Sequence, residues 1–334
     1  MTWFETLTGF TEQSPQQVRS MLYLDGGWLV SRANGLRWHW GHFEAPTLQE
    51  LRRRTAQALQ QANGKLRLRE QVADVRCLHA DPENAHALFQ VASQFNLLEM
   101  LSPQVTPEEG VGLYGGDMTQ GPACAVAAGA GTIWRNYFMP LPGQTGQTAD
   151  LQMDCLAGLG RALGNRDNRL WQMRNGYLIP GPDGLPEITR LLEHSTVQQR
   201  DALAGLIRVG IQSDTQVTLD QCSHRVNQVY CSALPVAYCS FPADSWAVFA
   251  RFVLQAAYEA TFHAALEQQA LYGRDRLYLT LLGGGAFGNR TQWVMDALWR
   301  ALQMFAATEL EVVIVSQQRS SVAVRRLLEE FNND

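Results

Sequence analysis

A glycine-rich loop held between a strand and a helix constrains this chain more than any other feature. The loop is Gly283-Gly284-Gly285-Ala286-Phe287-Gly288-Asn289-Arg290. Ahead of it, Leu277–Leu282 is a short apolar run with the bulk of a buried strand. Behind it, Val294, Leu298, Ala301, Leu302 and Phe305 recur at helical spacing and mark one buried helix face. Leu310–Val315 then reads as a second strand. Glycines reach the positive φ angles of a tight loop and keep side chains out of an anion's way. Unpaired N–H groups at the start of the following helix point at that anion, helped by the helix dipole. Three consecutive glycines and a fourth exceed what a turn requires, and phosphate or pyrophosphate is the natural guest.

At 334 residues and 46% hydrophobic content, the chain has the material for one large domain or two modest ones. A net charge of -5 argues against nucleic-acid partners and acidic membrane surfaces, which call for a basic excess. No apolar run is long enough to span a bilayer. Met1-Thr2-Trp3-Phe4-Glu5 lacks the basic start and apolar core of a signal peptide, so a cytoplasmic location is expected. The six cysteines form no CxxC pair and read as reduced core thiols. Cys222, His224, Cys231 and Cys239 fit no usual zinc spacing, and neither metal nor cofactor is expected.

Residues 21–43 have the aromatic runs and the Asp25-Gly26 and Asn34-Gly35 turns of antiparallel β-structure. The Trp38-His39-Trp40-Gly41-His42 alternation is expected to serve packing. Thr47 and Glu50 form a capping box for the next helix. Val75–Asp81 and Phe89–Ser93 suggest strands. A second glycine-bearing segment, Gly110–Ala123, leads into a small-residue helix over 123–130. Helices are expected around 149–163, 185–194 and 245–271, with strands within 170–180 and 207–218, while 226–238 is an apolar segment. Glu259 and His263, four apart on the long helix, are expected to form a surface or interface pair.

Gly283-x-Gly285-x-x-Gly288 satisfies a dinucleotide fingerprint formally. The acidic residue a Rossmann fold wants at the end of the next strand is missing, because Glu309 and Glu311 stand at its beginning. The order over 277–316, with Ala286-Phe287-Gly288 as an aromatic-glycine pair, instead resembles a macrodomain, the ADP-ribose-binding module. Its flavour is that of poly(ADP-ribose) glycohydrolases and arginine-specific macrodomain hydrolases. The resemblance covers roughly 72–315. It implies a three-layer α/β/α mixed sheet over 71–334 with a long internal insertion, preceded by an N-terminal hairpin and helix extension or cap over 1–70.

The same resemblance implies that Asp81 holds the adenine and that Asn96 follows the next strand. It implies a ligand-binding first loop reaching Thr119, Gln120 and Gly121. Gly283, Gly284, Gly285, Ala286, Phe287, Gly288 and Asn289 hold the pyrophosphate and distal ribose. The glycohydrolase Gln-Glu-Glu triplet is absent; Gly115-Gly116-Asp117-Met118-Thr119-Gln120 stands in its place. The partner implied is ADP-ribose or an ADP-ribosylated protein, and the activity implied is cleavage of the ribosyl bond, with arginine one possible acceptor. A carboxylate near the anomeric carbon is needed to stabilise the cationic sugar or activate water. Asp117 is the first candidate and Asp214 the second, the two together able to grip a guanidinium; Glu99 and Asp220 are weaker. A helix cap for Asp117 and a turn for Asp214 explain both residues equally well. A non-catalytic ADP-ribose-binding module, a nicotinamide-nucleotide enzyme and a purely structural protein stay open.

Overall fold

The computed structural model describes residues 1–219 and 222–333; Asp220 lies outside them. Among the described residues, seven strands form the main sheet. They are β1 (His42–Glu44), β2 (Arg67–Val72), β3 (Leu88–Ala92), β4 (Gly210–Gln216), β5 (Arg225–Cys231), β6 (Arg276–Leu279) and β7 (Glu311–Ser316), in the spatial order β1-β4-β5-β3-β6-β7-β2. The five strands from β5 to β2 run parallel, and β4 and β1 add antiparallel neighbours at one edge. The sheet is the mixed α/β/α arrangement expected.

Period-two alternation on β3 assigns the two faces. Phe89 stacks on His79 of the helix Val75–Ala80 at 3.8 Å, while Gln90 donates to Thr261 of the helix Ala243–Tyr272 at 3.0 Å. The first face also carries the helices Gln120–Ala127 and Gly129–Tyr137; the second carries Leu48–Gln61 and Thr291–Met304. Parallel strands covered on both sides give the nearly continuous apolar core through Val229, Val91, Leu277 and Val313.

Several expectations need correction. Val75–Ala80 is a helix, because Asp74 caps it, accepting from the Arg76 N–H at 2.8 Å. The first parallel strand is instead Arg67–Val72, an edge strand with half-exposed charges paired across to β7 through Arg69–Glu311 and Ser316–Glu70. The expected limit at residue 70 therefore cuts through the sheet: β1 and β2 lie at its opposite edges, and the helix between them packs on the long helix. What remains outside is residues 1–39, two short helices and a three-stranded sheet. Their own core, with Phe4, Val18, Leu22 and Leu29, packs on Val111, Tyr114 and Ile133. Trp40 stacks on Trp134 at 4.5 Å, so the aromatic alternation does serve packing. The stretch 140–209 is the long insertion, with a hairpin at 171–180 and helices at 157–162, 184–194 and 197–204. The helix there is shorter than the 149–163 expected.

Candidate active site

β3 and β6 are hydrogen-bonded only through Leu88 and Phe89 and then part. Gln120 fills the opening. Its Oε1 accepts from the Ala92 N–H at 3.0 Å and its Nε2 donates to the Gln90 carbonyl at 2.7 Å, completing the strand's unpaired edge. A cleft of about 910 Å³, open mouth included, lies over these carboxyl ends. Such crevices are where parallel sheets take ligands. Both glycine loops reach it: Asp117, Thr119, Gln120 and Gly121 from one, and Gly283, Gly285, Ala286 and Phe287 from the other.

The glycines of the second loop divide by role. Gly283 and Gly288 have φ of 72° and 71°, and a Cβ on either would strike Ala233 or Ala237. Those two are required by the fold of the loop itself. Gly285 has nothing within 4 Å of where its Cβ would stand, and it lines the cleft. Loop closure uses the N–H groups of Gly284, Gly288 and Asn289, which donate to Leu281, Gly285 and Gly283. Among the described residues, the Gly285, Ala286 and Phe287 amides make no such bond. The following helix has no side-chain cap at Arg290, and among the described residues its Thr291 and Gln292 amides make no backbone bond, while that of Trp293 donates to the Arg290 carbonyl. Asn289 faces inward, its Nδ2 donating to the Leu234 carbonyl at 2.8 Å. Phe287 joins Tyr177 and Tyr238 in an aromatic wall, with ring centroids 4.9–5.5 Å apart.

Opposite stand two carboxyl groups. Asp117 is half-buried at the end of the first loop and accepts from the Thr119 N–H at 2.8 Å. That bond closes a turn ahead of the helix Gln120–Ala127, whose N-cap is Thr119 and has no side-chain cap bond, so the expected helix cap is not what Asp117 provides. Glu99 is 2% exposed, lines the cleft and leaves Oε1 without a hydrogen-bond partner. Burial pushes its carboxyl well above the usual carboxylate range; Arg135 works against that shift and the Asp117 charge adds to it. Gly121 opens the helix beside it, where a Cβ would collide with the Ala92 carbonyl and Glu99 Oε2.

The other expected site residues lie elsewhere. Asn96 is fully buried, donating to Gln152 and accepting from Leu98, and it does not reach the cleft. Asp81 ends the helix Val75–Ala80 at an exposed turn and accepts from the Glu83 N–H. Its expected position, an acidic residue just past the first parallel strand, is occupied by Asp74. Asp74 lines a smaller pocket that shares Gln120, Thr280, Leu281 and Gln317 with the cleft. Asp214 sits on a bulge of β4 at φ 56°, beside the amino end of β5, where Arg225 holds it at 2.6 Å. That is the far end of the sheet from Asp117, so the two aspartates are not brought together. Glu99 stood among the weaker candidates because its burial comes from Gly121 and Tyr114, which are 15 or more residues away in sequence. Among the described residues, no group of three His, Cys, Asp or Glu side chains converges as a metal site. Nor is any helix long and apolar enough to cross a membrane.

No family model matches the chain, and neither does any curated protein. Among solved structures, poly(ADP-ribose) glycohydrolase from Deinococcus radiodurans in complex with ADP-ribose is similar over 86% of this chain and 94% of its own, at 14% identity and a TM-score of 0.45. The enzyme from Thermomonospora curvata bound to the inhibitor ADP-HPD is similar over 95% of this chain and 97% of its own, at 13% identity and a TM-score of 0.44. At that distance the likeness concerns the course of the chain, and the cleft stands on its own residues.

Proposed function

We propose that this protein hydrolyses the glycosidic bond between the distal ribose of an ADP-ribosyl group and its acceptor. The observation that carries the reading is a single cleft in which open amides of a glycine loop face two carboxyl groups of unlike environment. In this reading the amides of Gly285, Ala286 and Phe287, with the uncapped helix start behind them, take the pyrophosphate. The adjoining pocket beside Asp74 takes the adenine, in the role first expected of Asp81. The aromatic wall borders the ribose.

Glu99 supplies the acid. Its proton passes to the leaving atom as the bond to the anomeric carbon breaks. Asp117 supports the positive charge on the sugar and accepts a proton from the water that attacks that carbon. The products are ADP-ribose and the free acceptor, and the two carboxyl groups recover their starting states by exchange with solvent. An acid of this kind matters for acceptors that cannot leave as anions, such as a serine or ribose hydroxyl or an arginine guanidine. A glutamate ester leaves as a carboxylate without it. A two-aspartate grip on arginine lacks its second member, so arginine stands here as one acceptor among several.

The test is release of ADP-ribose from serine-, arginine- and glutamate-linked substrates. Release from at least one is expected. In E99Q, turnover of hydroxyl- or guanidine-linked substrate should drop roughly 10²- to 10⁴-fold, and glutamate ester turnover far less. Wild-type protein that binds ADP-ribose and releases none from any substrate would reduce the reading to a binding module.

A further inference from the structure

Behind the first glycine loop is a carboxylate that the proposed chemistry does not use. Glu12, from the N-terminal segment, accepts from the Val111 N–H at 3.0 Å, the Gly112 N–H at 2.6 Å and the Tyr137 hydroxyl at 2.6 Å. Among the described residues, no cation lies within ion-pair distance of it. Two backbone dipoles and one phenol therefore hold the charge. Contact is close enough to dictate residue type: a Cβ on Gly110 would stand 2.5 Å from Glu12 Oε2, and one on Gly112 would stand 2.8 Å from it. Gly110 also sits at φ 94°. A second tie comes from Trp3, whose indole N–H donates to the Val111 carbonyl at 3.1 Å.

Five residues beyond Gly112 the same segment delivers Asp117 to the cleft. We propose that Glu12 is a positioning residue: by shaping the first glycine loop from behind, its carboxylate sets where Asp117 stands opposite Glu99. The inference rests on the functional reading only for its effect on turnover; its effect on the loop is independent of that reading. Nothing from residues 1–39 lines the cleft, so this N-terminal unit acts as a brace on the loop and not as a lid. Burial raises the Glu12 carboxyl above its ordinary value, ahead of the opposing hydrogen bonds, which is what a carboxylate kept for its acceptor geometry incurs.

E12Q nearly preserves size but turns an NH2 toward amides that donate, while Y137F removes one bond and leaves the carboxylate. Hydrogen exchange read by mass spectrometry on peptides spanning 110–119, alongside kcat and KM on the full chain, separates the outcomes. In E12Q, exchange across the loop should rise at least tenfold and kcat should fall at least tenfold, with KM within about twofold, because the pyrophosphate loop is untouched. Y137F should change both by less. Unchanged exchange in E12Q overturns the brace, and raised exchange with unchanged kcat overturns the positioning of Asp117. If wild-type protein turns over no ADP-ribosyl substrate, the functional reading fails, and the exchange measurement still decides whether Glu12 holds the loop.

Discussion

Single residues of the cleft are constrained more by what surrounds them than by their own chemistry. Glu99 is desolvated, and its carboxyl raised, in part because a helix begins against it, and the helix can begin there only because residue 121 has no side chain. Gly121→Ala should cost about 1–3 kcal/mol through overpacking. It should also displace Glu99, so that activity falls even in protein that remains folded. Denaturant unfolding beside an activity assay checks this, and stability loss without a fall in kcat would separate Gly121 from the acid's position. Gly285 is the contrasting case: it has room for a side chain, and its openness is explained by nothing within the loop.

Among the elements, the long helix Ala243–Tyr272 holds the second face of the sheet by charge as well as by apolar packing. Glu259 is 2% exposed and receives Arg52 at 2.5 Å from one neighbouring helix and Arg300 at 2.6 Å from another. His263, one turn away, meets Thr55 at 2.6 Å. The pair expected at a surface or interface is therefore the centre of a three-helix junction. Burial alone would raise the Glu259 carboxyl, but the nearby His263, 3.9 Å away, and the bonds from Arg52 and Arg300 outweigh it and hold the group down at about 2. A carboxylate depressed on folding contributes stability above its unfolded value, near 4.5, and loses that contribution as pH falls through its folded value. E259Q should cost about 1–3 kcal/mol near neutral pH by removing the partner of Arg300 and one of the two partners of Arg52, which keeps Asp201 at 2.8 Å. Its difference from wild type should shrink between pH 4.5 and about 2, a trend that thermal melts at stepped pH would reveal. A constant difference across that range would show that the loss comes from packing.

For the molecule as a whole, the two ends of the parallel strands are unequal. The carboxyl ends part and hold the cleft, whereas the amino ends are closed by Asp214, Arg225 and Asn227. Asp214 adopts a left-handed backbone that few side chains tolerate, and Asn227 accepts its N–H at 2.8 Å. Asp214→Asn should therefore leave kcat and KM for an ADP-ribosyl substrate within about twofold while lowering stability, since the Arg225 pair is weakened. A large fall in kcat with an intact fold would mean that the far end of the sheet communicates with the cleft.

Local sequence carried the order of the last strand–loop–helix–strand unit, with the first strand ending three residues early at Leu279, because each of its elements is written in contiguous residues: an apolar run, glycines with positive φ, and one helical stripe. The capping box at Thr47 and the hairpin turn at Asn175-Gly176 were legible for the same reason. The edge strand Arg67–Val72 was not, since its charges are satisfied across the sheet and leave no apolar alternation to read. The choice of carboxyl groups was also beyond it. An aspartate near a glycine loop looks the same in sequence whether it faces a cleft, as Asp117 does, or an arginine at the opposite end of the strands, as Asp214 does. Sequence alone determined that a glycine loop joins that strand to that helix and which residues can take its positive φ angles, because backbone freedom is a local property. Tertiary structure alone decided which carboxyl groups share that loop's cleft, because the desolvation that sets Glu99 apart is produced by side chains and carbonyls distant in the chain.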